Sequence, residues 1–192
     1  MDQLVFATNN ANKVAEIRKA TGGLFDIITL KEAGINIDIP EPHDTLEANA
    51  TEKSTVIHRL TGQDCFSEDT GLEVEALNGE PGVKSARYAG GDRDFEANIH
   101  KLLANMEGQA NRKARFRTVI SLIQNGEEYL FEGICPGKII EIQRGQNGFG
   151  YDPVFVPDET SVTFAEMNMD EKNLFSHRKK ALEKLIGFLN QG

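Results

Sequence analysis

Glu68 and Asp69 stand side by side in CFSEDTG, residues 65–71, where a short apolar stretch meets a glycine. Two adjacent carboxylates repel unless something relieves them. At the end of a strand, beside a glycine that lets a ligand come close, they fit a site for a hard cation such as Mg²⁺, which takes one or two carboxylates together with waters and substrate phosphates. Glu41, in DIPEP, is a third acid for the same set. The plainer alternative has Glu68 pointing to solvent and Asp69 opening a turn.

Cationic and polar partners for a phosphate lie upstream. Thr8, Asn9, Asn10, Ala11, Asn12 and Lys13 follow an apolar run and precede a helical pattern. Such a loop offers backbone N–H groups and the positive end of a helix to an anion, with Lys13 as a mobile cation; ordinary N-capping by Asn9 or Asn10 would account for the same residues. Lys53 is in phase with an apolar stripe at 46, 50, 57 and 60. A lysine on that face either snorkels or meets an anion, because burying an unpaired ammonium is costly.

Two later stretches suit a planar ring. In GFGYDP, residues 148–153, glycines flank Phe149 and Tyr151 ahead of Asp152, so an aromatic face and a hydrogen-bonding edge could meet a base; both rings could equally belong to the core. In EKNLFSHRKKAL, residues 171–182, Arg178 shares a helical stripe with Leu182, Leu185 and Leu189. On one continuous helix Lys172 would lie about 140° from His177 and about 240° from Arg178. A break near Ser176 would let the three converge; the alternative is a solvated basic helix start.

The elements that must position these residues are legible as an α/β chain. QLVFAT reads as a buried strand, followed by a helix with Val14, Ile17 and Leu24 on one face. A second helix covers 45–61, with strands at 64–68 and 72–77, a turn-rich segment, and a helix over 93–106. RFRTVISLIQ and EEYLFEGIC are separated by Asn125-Gly126, a strong hairpin signal because both residues tolerate positive φ. A short strand, PVFV, precedes helical residues from 169 to 190. Strands alternating with helices, plus a hairpin, predict a mixed sheet.

Composition narrows the function classes. Hydrophobic residues at 39% and charged residues at 27% fit one folded unit with a real core. A formal charge of −9 without a Lys/Arg stripe speaks against nucleic acid as a partner. MDQLVFATNN lacks the basic start and apolar core of a leader, and no 18-residue apolar run occurs, so no membrane partner and a cytoplasmic location are expected. Cys65 and Cys135 each fall in a strand-like segment and are expected to be reduced core thiols. GxSxG and CxxC are absent, and the histidines lack zinc spacing.

Taken together, TNNANK, SEDTGL, GEPGVKSARYAG, FGYDP and EKNLFSHRKKAL resemble, in order and spacing, the inosine triphosphate pyrophosphatase family, in its bacterial XTP/dITP diphosphatase form. The resemblance spans nearly the whole chain. It implies an elongated mixed β-sheet with flanking helices, forming two lobes around a central cleft that holds the active site, with residues 1–192 as a single domain. It also implies Mg²⁺-dependent hydrolysis of nonstandard purine nucleoside triphosphates (ITP, dITP, XTP) to monophosphate and pyrophosphate by a homodimer, cleansing the nucleotide pool.

Carried onto this chain, the resemblance gives Thr8 to Lys13 and Lys53 to the phosphates. It makes Asp69 a metal ligand and the base that activates water, with Glu68 and Glu41 as further metal ligands. Thr70, Phe149, Gly150, Tyr151, Asp152, Lys172, His177 and Arg178 surround the substrate, and donors from Arg178 or His177 favour a 6-oxo purine. The family's first loop usually reads TGN where this chain has Thr8-Asn9-Asn10, so asparagine is expected to serve a turn that glycine serves elsewhere, at positive φ. Many bacterial members carry DDSG in place of Glu68-Asp69-Thr70-Gly71. A catalytically silent nucleotide sensor is the main alternative class, and Asp69 together with both lysines speaks against it.

Overall fold

The computed structural model describes residues 3–91 and 93–191; Asp92, in the turn-rich segment, lies outside the described residues. In chain order the elements are β1 (Gln3–Phe6), α1 (Ala11–Thr21), β2 (Asp26–Thr29), α2 (Leu46–Thr61), β3 (Cys65–Val74), β4 (Pro81–Gly82), α3 (Phe95–Asn105), β5 (Lys113–Gln124), β6 (Glu127–Ile139), β7 (Phe155–Pro157), α4 (Met169–Phe175) and α5 (His177–Leu189). The sheet is mixed, in the order β2-β1-β3-β5-β6-β7 with β4 on β3. β1 runs parallel to β2 and β3, whereas β3–β4 and β6–β7 are antiparallel.

The chain divides into two compact units. Unit 1 comprises residues 1–69, 118–133 and 178–192; unit 2 comprises 70–117 and 134–177. In unit 1 the side chain of Asn10 accepts from the N–H groups of Asn12 and Lys13 and so starts α1; Gly22, at φ 57°, ends it. Leu24, expected on the helix face, lies beyond that stop and is exposed. Thr45 caps α2, whose inward stripe is Leu46, Asn49, Ala50, Lys53 and Ile57; Leu60, expected to continue it, is exposed just two residues before the Gly62 terminator. Phe6 and Phe66 stack at 4.5 Å between β1 and β3. Asn125 and Gly126 both take positive φ, 52° and 82°, closing the β5–β6 hairpin.

Unit 2 packs around Leu72, Leu102, Met106, Phe116, Phe155 and Phe164. β3 is one ten-residue strand where two were expected. Gly71 does not break it: a Cβ there would lie 2.6 Å from the Gly82 carbonyl oxygen, so glycine admits the close approach of β4. Residues 75–77 turn as a short 3₁₀ segment instead of continuing the strand. The C-terminal helical stretch divides at Ser176, whose ψ of 124° leaves the helical region between α4 and α5. Cys65 and Cys135 are buried free thiols, and burial pushes Cys65 up to about 12, which suppresses thiolate formation.

Candidate functional site

In unit 1 acids and cations meet from several elements, with Arg178 coming from α5 and Glu41 from the segment before α2. β3 presents Glu68 and Asp69, α2 presents Lys53, and α1 presents Lys13 and Glu16. Glu68 is buried; Lys13 Nζ lies 2.9 Å from its Oε1, while Arg178 Nε and Nη2 donate to Oε2 at 2.7 Å and Oε1 at 3.2 Å. Arg178 Nη1 also donates to Glu16 Oε2. Burial alone would raise the Glu68 carboxyl, but Arg178 and Lys13 outweigh it and hold Glu68 well below the usual carboxylate range.

Asp69 and Glu41 share Lys53, whose Nζ is 2.5 Å from Glu41 Oε1 and 3.4 Å from Asp69 Oδ1. Burial lowers the affinity of Lys53 for its proton, yet Asp69 and Glu41 together raise it, so the ammonium stays charged. For Asp69 burial wins over Lys53 and Lys13, and its carboxyl is raised from its ordinary value. Asp69 Oδ2 is buried and has no hydrogen-bond partner among the described residues. A buried carboxylate oxygen left unpaired is costly unless something meets it.

The loop ahead of α1 is arranged differently from expectation in one respect. Asn9 is not among the residues at positive φ, so it does not stand in for a left-handed glycine. Its side-chain Nδ2 instead donates to the carbonyl of Ile37 at 2.9 Å. Thr8 Oγ1 accepts from the Asn10 N–H, and Asn10 caps the helix that Ala11, Asn12 and Lys13 begin.

In unit 2 Asp152 and Lys172 form a buried pair, Nζ to Oδ2 at 2.6 Å. The same oxygen accepts from the Phe149 N–H at 3.0 Å, and Lys172 Nζ lies 5.2 Å from the ring centroids of both Phe149 and Phe164. Gly148, at φ 76°, is required because a Cβ there would collide with Asp152 Oδ2. Phe149 and Gly150 are half-buried, whereas Tyr151 is buried with its hydroxyl donating to the Ser85 carbonyl at 2.7 Å. His177 is buried and stacks on Phe116, centroids 4.8 Å apart. Thr70 is half-buried beside the acids in sequence.

Among the described residues, no group of three His, Cys, Asp or Glu side chains comes together as a ready-made ligand set. Oxygen donors are nevertheless what a hard cation takes, and Mg²⁺ needs only one or two carboxylates with substrate oxygens completing its shell. The unbonded Asp69 Oδ2 and the nearby Glu41 carboxylate fit that demand. Two residues escaped the sequence. Glu16, i+3 from Lys13 and in phase with the buried helix face, pairs with Arg178 far along the chain; Asn49 is buried on the stripe that carries Lys53. For both, a polar residue on an apolar stripe was the available signal.

The family model described as Ham1 family matches residues 4–188. A dITP/XTP pyrophosphatase of Flavobacterium johnsoniae is 48% identical over 187 residues, covering 97% of each chain. That of Porphyromonas gingivalis is 48% identical over 190 residues, covering 98% of each. Among solved structures, a HAM1 protein from Coxiella burnetii aligns with a TM-score of 0.91 at 36% identity over all of both chains. The Staphylococcus aureus Ham1 protein aligns with a TM-score of 0.89 at 37% identity, covering 99% of each.

Proposed function

The chain belongs to the Ham1 family, and from that premise we propose that it hydrolyses ITP, dITP and XTP to the monophosphate and pyrophosphate, with Mg²⁺. The observation that carries this reading is Asp69: a buried carboxylate, raised in pKa, beside Lys53 and with one oxygen unbonded. A base works best when its pKa is drawn toward the working pH.

Asp69 takes a proton from water as the water oxygen bonds to the α-phosphorus. The bond from that phosphorus to the bridging oxygen breaks, and pyrophosphate leaves with the electron pair. Lys13, Lys53 and the backbone of Thr8–Asn12 neutralise the phosphate charge. Asp69 and Glu41 would hold the metal, with Glu68 next to them fixed by Lys13 and Arg178. When bound, Mg²⁺ supplies charge neutralisation at phosphate oxygens and a more acidic water.

The base falls to Phe149, Gly150, Tyr151 and Asp152, with Lys172, His177 and Arg178 as donors and Thr70 as a further contact. Hypoxanthine and xanthine present an acceptor at position 6 where adenine presents an amino donor. A donor facing adenine is left unsatisfied, at about 1–3 kcal/mol or roughly 5- to 150-fold. On this reading residues 1–192 act as one catalytic domain. Assembly as a homodimer rests on the resemblance alone, and a cytoplasmic location is part of the proposal; among the described residues no helix is long and apolar enough to cross a membrane.

Pyrophosphate release measured with Mg²⁺ across ITP, XTP, dITP, GTP, ATP and dUTP tests the proposal. Release from the first three well above the others is expected. No release from any would sink it in favour of a nucleotide sensor.

A further inference from the structure

Glu41 sits on a stretch with an unusual pattern. Between β2 and α2, residues 35–42 are irregular chain, yet they alternate strictly: Ile35, Ile37, Ile39 and Glu41 are half-buried, and Asn36, Asp38, Pro40 and Pro42 are exposed. The three isoleucines pack against Val5, Leu30, Ile57 and Cys65. Ile39 and Glu41 each precede a proline, which disfavours helical backbone and keeps the chain extended. A strap of this kind has no ladder to fix it lengthwise, so its position depends on the side chains that tie it down.

Two asparagines do so on either side of Glu41. Asn9 Nδ2 donates to the Ile37 carbonyl at 2.9 Å. Asn49, nearly fully buried on α2, makes a reciprocal pair with His43, its Oδ1 accepting from the His43 N–H at 2.9 Å and its Nδ2 donating to the His43 carbonyl at 3.1 Å, and its side chain also lies in hydrogen-bonding reach of Asp69. Asn49 is one helical turn from Lys53, which grips Glu41 between the two ties. The Asn9 tie belongs to a position where glycine, with no side chain, could not supply it.

We infer that Asn9 and Asn49 are positioning residues that bracket the 35–43 strap and hold the Glu41 carboxylate at Lys53 and Asp69, coupling the phosphate-binding loop to the acid pair. This rests on the role proposed for Glu41. Asn49 carries the larger share, through two half-buried hydrogen bonds against one exposed.

The test is hydrogen–deuterium exchange over residues 35–44 in protein free of nucleotide and Mg²⁺, together with the Mg²⁺ concentration for half-maximal pyrophosphate release. Asn49→Ala should speed exchange in the strap about 10-fold or more, and Asn9→Gly about 3-fold, with β3 and β5 unchanged. Asn49→Ser, which removes both hydrogen bonds to His43 without adding charge, should speed exchange about as much as Asn49→Ala, and serves if the alanine variant does not fold. Half-saturation by Mg²⁺ should rise about 5-fold in Asn49→Ala, while the KM for ITP at saturating Mg²⁺ stays within about 2-fold. Wild-type exchange in the strap of the folded variants, or equal rises in both constants, overturns the inference. Because the exchange is read without ligand, it judges the brackets even where an inactive wild type has already refuted the functional reading.

Discussion

Each unit buries acids against cations, and the two do so in different company. In unit 1, Glu68 is gripped by Lys13 and Arg178, Arg178 also holds Glu16, and Lys53 is shared by Glu41 and Asp69. Charge there is met by charge. In unit 2 the buried pair Asp152–Lys172 sits among aromatic rings, with Lys172 Nζ 5.2 Å from the centroids of both Phe149 and Phe164. The first environment suits a ligand that is itself densely charged, the second a flat and nearly neutral one.

The comparison breaks most severely at Asp69. Asp69→Asn should keep its circular dichroism spectrum and lose turnover about 10³- to 10⁴-fold; near-wild-type rates of pyrophosphate release would move the chemistry elsewhere. Arg178→Ala leaves Glu68 and Glu16 buried without their shared partner, and urea unfolding should show a loss of about 3–5 kcal/mol. The same variant should raise the KM for ITP more than that for ATP, and an equal rise would confine Arg178 to holding Glu68.

In unit 2 the effect should fall on discrimination. Lys172→Met should lower the ITP-to-ATP ratio of kcat/KM by about 5- to 150-fold with the Mg²⁺ requirement unchanged. The smallest effect is on pH dependence. Glu68 is held below its ordinary value of 4.5, so its stabilising contribution is complete above that pH and is lost as pH falls through the folded-state value. Urea midpoints from pH 7 down to 3 should therefore fall less steeply for Glu68→Gln than for wild type, even though the variant starts lower.

How much of this was legible in the sequence depends on distance along the chain. The in-phase position of Lys53, the Asn125-Gly126 turn and the possible break at Ser176 are local signals, and each has its counterpart in the structure. Gly71 misled because a glycine in a strand reads as an interruption, and only the partner strand shows that it admits a neighbouring backbone. Asn9 misled in a similar way: its type suggested a special backbone angle, and its side chain is what the fold uses. The link from Glu16 to Arg178 crosses most of the chain, beyond the reach of any spacing rule. The placement of Glu41 was visible in principle, since three isoleucines at alternate positions lead straight to it.

That alternation limits how the segment can change length. Inserting or deleting a single residue between Gly34 and Glu41 would exchange inside for outside, sending isoleucines to water and turning the carboxylate away. Two residues at once would restore the parity and shift the acid by roughly 7 Å instead. Tolerated length variants of this segment should therefore keep an even count, with Glu41 re-anchored near α2.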